Sequence, residues 1–135
     1  MRVISSETFT VTSSEDIVTA RQSVRKKAIF LGFGLVDQTK FVTASSELAR
    51  NMLDYGGGGT ILLEIIENPA LRSGLRVIFE DHGPGIADID QALTDGYTSG
   101  NGMGLGLSGA KRLSHEFEIW SKPGEGTRVS IVRWK

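Results

Sequence analysis

No cysteine occurs among the 135 residues. Disulfides and thiolate-held metals are therefore excluded, and a reducing compartment such as the cytoplasm is the expected location. Neither sign of charge prevails. Fifteen Lys and Arg face sixteen Asp and Glu, a formal net charge of −1, so the electrostatic footprint of a nucleic-acid binder is missing and no nucleic-acid partner is expected. Long hydrophobic runs are absent too. The longest near-continuous apolar stretch, AIFLGFGLV at 28–36, falls well short of the ~20 residues a spanning helix needs. No basic, apolar, small-residue leader opens the sequence, so the protein reads as soluble, unprocessed and without a membrane partner. A G-x-x-x-x-G-K-[ST] motif is also lacking, which excludes a P-loop. Internal repeats and linkers are not found.

What is present is ordinary globular material, with 39% hydrophobic and 23% charged residues. One domain spanning 1–135 is expected, large enough to bury roughly two-thirds of its unfolded surface. VISSETFTV at 3–11 reads as a first strand by its β-branched content. Ser13 or Ser14 is placed to cap a helix in which Glu15 and Asp16 meet the positive dipole end and Ile17, Val24, Ala28 and Leu31 share a face. That helix is expected to end near Gly32 and Gly34, and a second to run from about Asp37 to Tyr55 before the run Gly56–Gly59 stops it. Strands follow at 60–67 and 75–81, then a turn at 81–85, a short helix near 89–93 and a helix from Leu105 to His115. Strands at 117–121 and 127–134, separated by Pro123-Gly124, complete the pattern. The expected class is α/β (α+β): a two-layer sandwich with helices on one face of a mixed, largely antiparallel sheet.

Against this background GNGMGLGL at 100–107 stands out, with four glycines in eight positions. Glycine lets amides turn where a Cβ would forbid it and lets main chain approach a ligand closely. With a helix starting behind it, such a loop suits an anion, phosphate above all. Gly104-x-Gly106-x-x-Gly109 fits the dinucleotide fingerprint in letters, but a polar stretch precedes it where that fingerprint requires a strand.

Glu47 and Asn51 in TASSELARNMLDYG sit four apart and so share one face of the second helix. Magnesium takes oxygen ligands and keeps several waters, so one amide oxygen beside nucleotide phosphates is an adequate set. The neighbouring carboxylate is suited to general-base work. EDHGPGI at 80–86 ends an apolar strand in a carboxylate. Asp81 there can accept a hydrogen bond from an exocyclic amine such as that of adenine, with Gly83 and Gly85 leaving room for a flat ring. The same residues also suit an Asp-Gly turn, and Thr127 in GEGTRV suits an ordinary strand start.

In that order, helix with Glu47 and Asn51, strand with Asp81-x-Gly83-x-Gly85, glycine loop, helix and Gly126-Thr127, the chain resembles the GHKL superfamily of ATP-binding domains. SELARNMLDYGGGG, DGYTSGNGMGLGLSGAKRL and SIVRWK resemble in particular its anti-sigma-factor serine kinases of the RsbT switch type, known from stressosome pathways. The resemblance implies a Bergerat-type fold over the whole chain, with ATP and Mg²⁺ as cofactors. It implies Glu47 as the base activating a partner's serine or threonine, Asn51 as the magnesium and nucleotide ligand, and Asp81 on the adenine amine. Gly83, Gly85, Ile86 and Thr127 would shape the adenine pocket. Residues 92–104 would form a lid, and the amides of Gly102, Met103, Gly104, Leu105 and Gly106 would cradle the phosphates. Implied partners are a STAS-domain protein as phosphate acceptor and a PP2C-type phosphatase or sigma-factor regulator as later target. A nucleotide-gated binding module with little chemistry is the other function the resemblance allows. Ser108 stands where that branch has proline, and Asn101 interrupts its glycine-rich stretch. His82 is expected to face solvent or cap its turn. The stripe Arg21, Arg25, Lys26, Lys27 reads as a solvated face that could meet an acidic partner.

Overall fold

The computed structural model describes residues 1–94 and 106–135. Their order is β1 (Arg2–Val11), α1 (Ser14–Phe30), α2 (Leu35–Gly56), β2 (Gly59–Glu67), β3 (Ser73–Asp81), α3 (Ile89–Ala92), α4 (Gly106–Arg112), β4 (Glu116–Lys122) and β5 (Gly126–Trp134). The strands form one five-stranded sheet in the order β1-β2-β3-β5-β4. All four ladders are antiparallel, so the mixed sheet expected from sequence is purely antiparallel among the described residues.

Strand alternation builds the core. Ile61, Leu63 and Ile65 of β2 stand opposite Phe79, Val77 and Leu75 of β3, and Phe79 and Val77 in turn face Val129 and Ile131 of β5. All eight are buried and point to the helix side. There Phe41, Ala44, Leu48 and Met52 recur every three or four residues along α2 and complete the contact. α1 packs on α2 and on the β1–β2 half of the sheet, while α4 packs on α2.

One local expectation changes. Ser13 is the residue before α1, yet its side chain makes no capping bond. Asp16 does the work instead, its Oδ2 accepting the Thr12 amide at 2.9 Å and the Thr12 hydroxyl at 3.2 Å. Ser108, in place of a helix-opening proline, is buried within α4. The glycine stop after α2 is as expected: Gly57 takes φ 76°, and its amide bonds the Met52 carbonyl.

A polar tie secures the other end of α2. Arg133 projects from β5 into the helix layer, where its guanidinium reaches Asp37 Oδ1 at 2.7 Å and the Leu113 carbonyl at 2.8 Å. The Arg133 hydrogen bond holds the Asp37 carboxyl below its ordinary value of 3.8. Beside this tie His115 Nδ1 accepts the Trp134 amide at 2.8 Å, which places its own proton on Nε2. Partial burial, followed by the charges of Arg133 and Arg72, lowers the imidazole below 6.5.

Two outcomes follow from this packing. A depressed histidine contributes stability above its unfolded value and loses it as pH falls. Urea unfolding should therefore show stability dropping as pH falls from 6.5 through the lowered His115 value, and His115→Asn, whose Oδ1 can take the Trp134 amide, should flatten that slope. Ser45 is buried with no hydrogen-bond partner for its hydroxyl among the described residues, beside a small apolar void between α1, α2 and the sheet lined by Ile17, Val24 and Val77. Ser45→Ala should stabilise by about 1 kcal/mol in the same measurement, because an unsatisfied hydroxyl leaves the interior and a better helix former replaces it.

Candidate functional site

The site begins where α2 meets the end of β3. A Cβ at Gly56 would collide with the Asp81 carboxylate, and one at Gly83 would come within 2.6 Å of the Gly56 Cα. Only two bare backbones can cross so closely, and the crossing pins the last turn of α2 against residues 81–83. At 1.5 Å per residue, Asn51 lies ~7.5 Å up the helix axis from that crossing and Glu47 ~6 Å further.

Both residues are half-buried. Ser45, Ser46 and Ala49 line the void shared with α1. At 100° per residue, Glu47 and Asn51 stand on the opposite flank of the buried stripe, away from α1. Neither side chain is engaged in a hydrogen bond or ion pair among the described residues. They are free to act on something brought to them.

Asp81 is 9% exposed, a rare setting for a carboxylate. Its Oδ1 accepts the Gly83 amide at 2.9 Å. This is the Asx turn that the Asp-Gly spelling suggested, and it occupies only one of the roughly four lone-pair sites of a carboxylate. Across the ladder Asp81 stands opposite Thr127. Gly126, at φ 121°, lets the Asp81 carbonyl approach where a side chain would clash.

The 83–86 loop is seated on the β4–β5 hairpin. The Gly124 amide donates to the Pro84 carbonyl at 2.8 Å, and a Cβ on Gly85 would strike the Lys122 carbonyl. Ser121 joins the parts. Its Oγ accepts the Ile86 amide at 2.7 Å, donates to the Gly126 carbonyl at 3.0 Å and lies 2.8 Å from Thr127 Oγ1.

The structure thus gathers Asp81, Gly83, Gly85, Ile86 and Thr127 at one end of the sheet, with Asn51 and Glu47 on the helix that abuts it. Gly106 opens α4 at φ 66°. Gly102, Met103, Gly104 and Leu105 lie outside the described residues, as does the expected lid beyond Thr94. Two contributors were not singled out in the sequence. Gly56 was read only as a helix stop, and Ser121 only as part of a strand, although a small polar residue in phase with Phe117 and Ile119 on the inward side was a usable signal. His82 is exposed, as expected. Of the α1 stripe, Lys27 lies 3.8 Å from Glu7 and Arg25 touches Gln38 at 3.5 Å, neither at this site.

No cluster of three or more His, Cys, Asp or Glu capable of holding a metal occurs among the described residues. A magnesium ion that brings phosphate oxygens and water fits Asn51, which offers one neutral oxygen.

Residues 36–135 match the family model HATPase_c, the histidine kinase-, DNA gyrase B- and HSP90-like ATPases. The chain is 48% identical to the serine/threonine-protein kinase RsbT of Bacillus subtilis over 119 residues, 88% of this chain and 89% of that protein. It is 32% identical to an anti-sigma F factor of Thermoanaerobacter over 97 residues, 68% of this chain and 66% of that one. Among solved structures, the RsbU and RsbW domains of a Mycobacterium tuberculosis protein superpose with a TM-score of 0.60 at 19% identity, covering 96% of this chain and 33% of that one. A fold likeness of that kind agrees with an antiparallel sheet carrying helices on one side. Taken with the site geometry, these similarities place the chain in the GHKL family of ATPases, among the serine/threonine-protein kinases of the RsbT type.

Proposed function

We propose that this kinase moves the γ-phosphoryl group of ATP to a serine or threonine of a STAS-domain protein in a partner-switching pathway, and that it activates a PP2C-type phosphatase once released. The contact that carries the reading is Gly56 against Asp81 and Gly83, which sets the Glu47–Asn51 face and the Asp81–Thr127 edge at one junction. In this reading Asp81 takes the exocyclic amine of adenine, with Gly83, Gly85 and Ile86 forming the walls and Thr127 the adjoining edge. Asn51 holds magnesium, which draws charge from the phosphate oxygens when bound. Glu47, without a competing partner among the described residues, accepts the proton of the attacking hydroxyl. The amides of Gly102 to Gly106 are assigned the phosphates by the family pattern alone. Catalysis would then be positioning and charge stabilisation rather than covalent chemistry.

Identity to RsbT over most of both chains supports the acceptor class. Identity to an anti-sigma F factor supports the second reading, a nucleotide-gated binding module that captures a regulator. The half-buried Glu47 carboxylate, without a partner among the described residues, favours chemistry.

Incubation with Mg²⁺, γ-labelled ATP and candidate STAS-domain proteins separates the two. Label should appear on a partner serine or threonine, and Glu47→Ala should lower that rate by ~10²–10⁴ while ATP still binds. An unchanged rate would remove Glu47 from its role, and binding without any transfer would favour the module. Asn51→Ala should abolish the magnesium dependence of ATP binding. Gly56→Val should displace the Asp81 carboxylate and weaken ATP binding tenfold or more in a titration, since a hydrogen bond to a charged group contributes ~1.5–3 kcal/mol.

A further inference from the structure

The end of α2 away from Gly56 carries an apolar surface that the core does not use. At the elbow between α1 and α2, Ile29, Phe30, Leu35 and Val36 stand 57%, 79%, 72% and 67% exposed. Single exposed apolar residues are ordinary, whereas four within eight positions mark a contact surface. The elbow holds them in place. Phe33 is buried beneath it, its amide donates to the Ala28 carbonyl at 2.9 Å, and Gln38 Nε2 donates to the Phe33 carbonyl at 2.8 Å. A surface fixed in this way gives up little conformational freedom when it is covered.

Its free charge has one sign. The exposed Lys26 precedes Phe30 by one turn of α1, the exposed Lys40 follows Val36 by one turn of α2, and the Lys135 side chain folds over Gly32. None of these three lysines has an ion-pair partner among the described residues. The only acid between residues 26 and 40 is Asp37, which Arg133 engages at 2.7 Å. What covers the elbow must therefore offer carboxylates around an apolar contact. A second copy of the chain would bring lysines against lysines. An anionic bilayer meets the charge requirement as an acidic protein surface does, and the choice between them comes from where the elbow leads.

At 100° per residue, Val36, Lys40, Thr43 and Glu47 fall within about 60° of one another on α2. That sector is turned away from the buried Ser45, Leu48 and Met52, and from α1, which shares a void with Ser45, Ser46 and Ala49. Along the axis Lys40 stands ~10 Å and Val36 ~16 Å before Glu47, within the reach of one docked domain of ~100 residues, whose radius of gyration is about 13 Å. We propose that the elbow and this stripe of α2 are the docking surface for the phosphate acceptor. The acceptor is a protein that sets an apolar contact on Phe30, Leu35 and Val36, faces Lys26 and Lys40 with carboxylates, and so brings its serine or threonine to Glu47. The proposal rests on Glu47 as the base, as described above. A bilayer has no hydroxyl to bring there. Neither Val36 nor Lys40 touches the reacting atoms; they hold the acceptor protein, two or more helical turns from the transfer itself.

Steady-state transfer from γ-labelled ATP to the STAS-domain protein that wild type labels best reads this out. It is measured for wild type, Phe30→Asp, Val36→Asp, Lys40→Glu and Lys40→Arg, with ATP affinity and thermal unfolding alongside. Phe30→Asp and Val36→Asp should raise KM for the acceptor about tenfold or more while kcat and ATP affinity stay unchanged. Both side chains are exposed, so the fold should be retained. Added salt should raise the wild-type KM. Lys40→Glu should raise KM and flatten that salt dependence, and Lys40→Arg should preserve both values. A KM unmoved by the aspartate variants, or a loss confined to kcat, would overturn the proposal and leave Glu47 its role. So would a wild-type dimer in sedimentation that Val36→Asp dissolves, or flotation of wild type with phosphatidylserine vesicles that the aspartate variants abolish, since the surface would then belong to a second copy or to a bilayer. Absence of label on every candidate acceptor would overturn both the docking surface and the kinase reading beneath it.

Discussion

Everything at this site hangs on two backbones crossing without side chains. The end of α2 can lie against the end of β3 because Gly56 meets Gly83 and the Asp81 carboxylate where any Cβ would intrude. Backbone contact at this range fixes both separation and angle, because neither partner has a flexible side chain that could give way. A helix so anchored carries Asn51 and Glu47 at set heights above the junction, about 1.5 Å per residue. The same loop, through Pro84 and Gly85, is held to the β4–β5 hairpin. Helix, strand end and hairpin thus share one joint.

The division of work across that joint follows from which groups are free. At the sheet end, polar atoms are already tied: Asp81 to the Gly83 amide, Ser121 to three neighbours, Gly126 to Ser121. Groups held this way present fixed lone pairs and suit recognition of a rigid ring. On the helix, Glu47 and Asn51 are half-buried with no partner among the described residues, which suits ions and protons that arrive and leave. The opposite end of α2 is secured independently by Arg133 with Asp37 and Leu113. The Arg133 tie and the proposed Glu47–Asn51 face therefore lie on different stretches of one helix.

Much of this was legible in the amino-acid order. Strand alternation in TILLEIIE and LRVIFED, the helical recurrence of Phe41, Ala44, Leu48 and Met52, and the four-glycine stop all express burial periodicity, and they reappear in place. The pairing of Glu47 with Asn51 was visible because helical spacing is local. What was hidden was non-local. Nothing near Gly56 in the sequence says that it must clear Asp81, 25 positions later, and nothing near Ser121 says that it will face Ile86. At α1, Ser13 does stand at the cap position but its side chain makes no capping bond, while Asp16 in the first turn reaches back to the Thr12 amide and hydroxyl, a contact the capping reading did not include. Parallel pairing was left open because a mixed sheet and an antiparallel one have the same element order until the register is seen.

That helix, strand end and hairpin serve a single magnesium-nucleotide is the claim on which the rest turns. Backbone amide shifts of the full chain, recorded before and after adding Mg²⁺ with a non-hydrolysable ATP analogue, test it most directly. The expected result is one connected set of perturbed amides, at the C-terminal turns of α2 from Glu47 to Gly57, at Asp81–Ile86 and at Ser121–Thr127. Perturbations confined to one of these stretches, or centred on the Asp37–Arg133 end of α2, would contradict it.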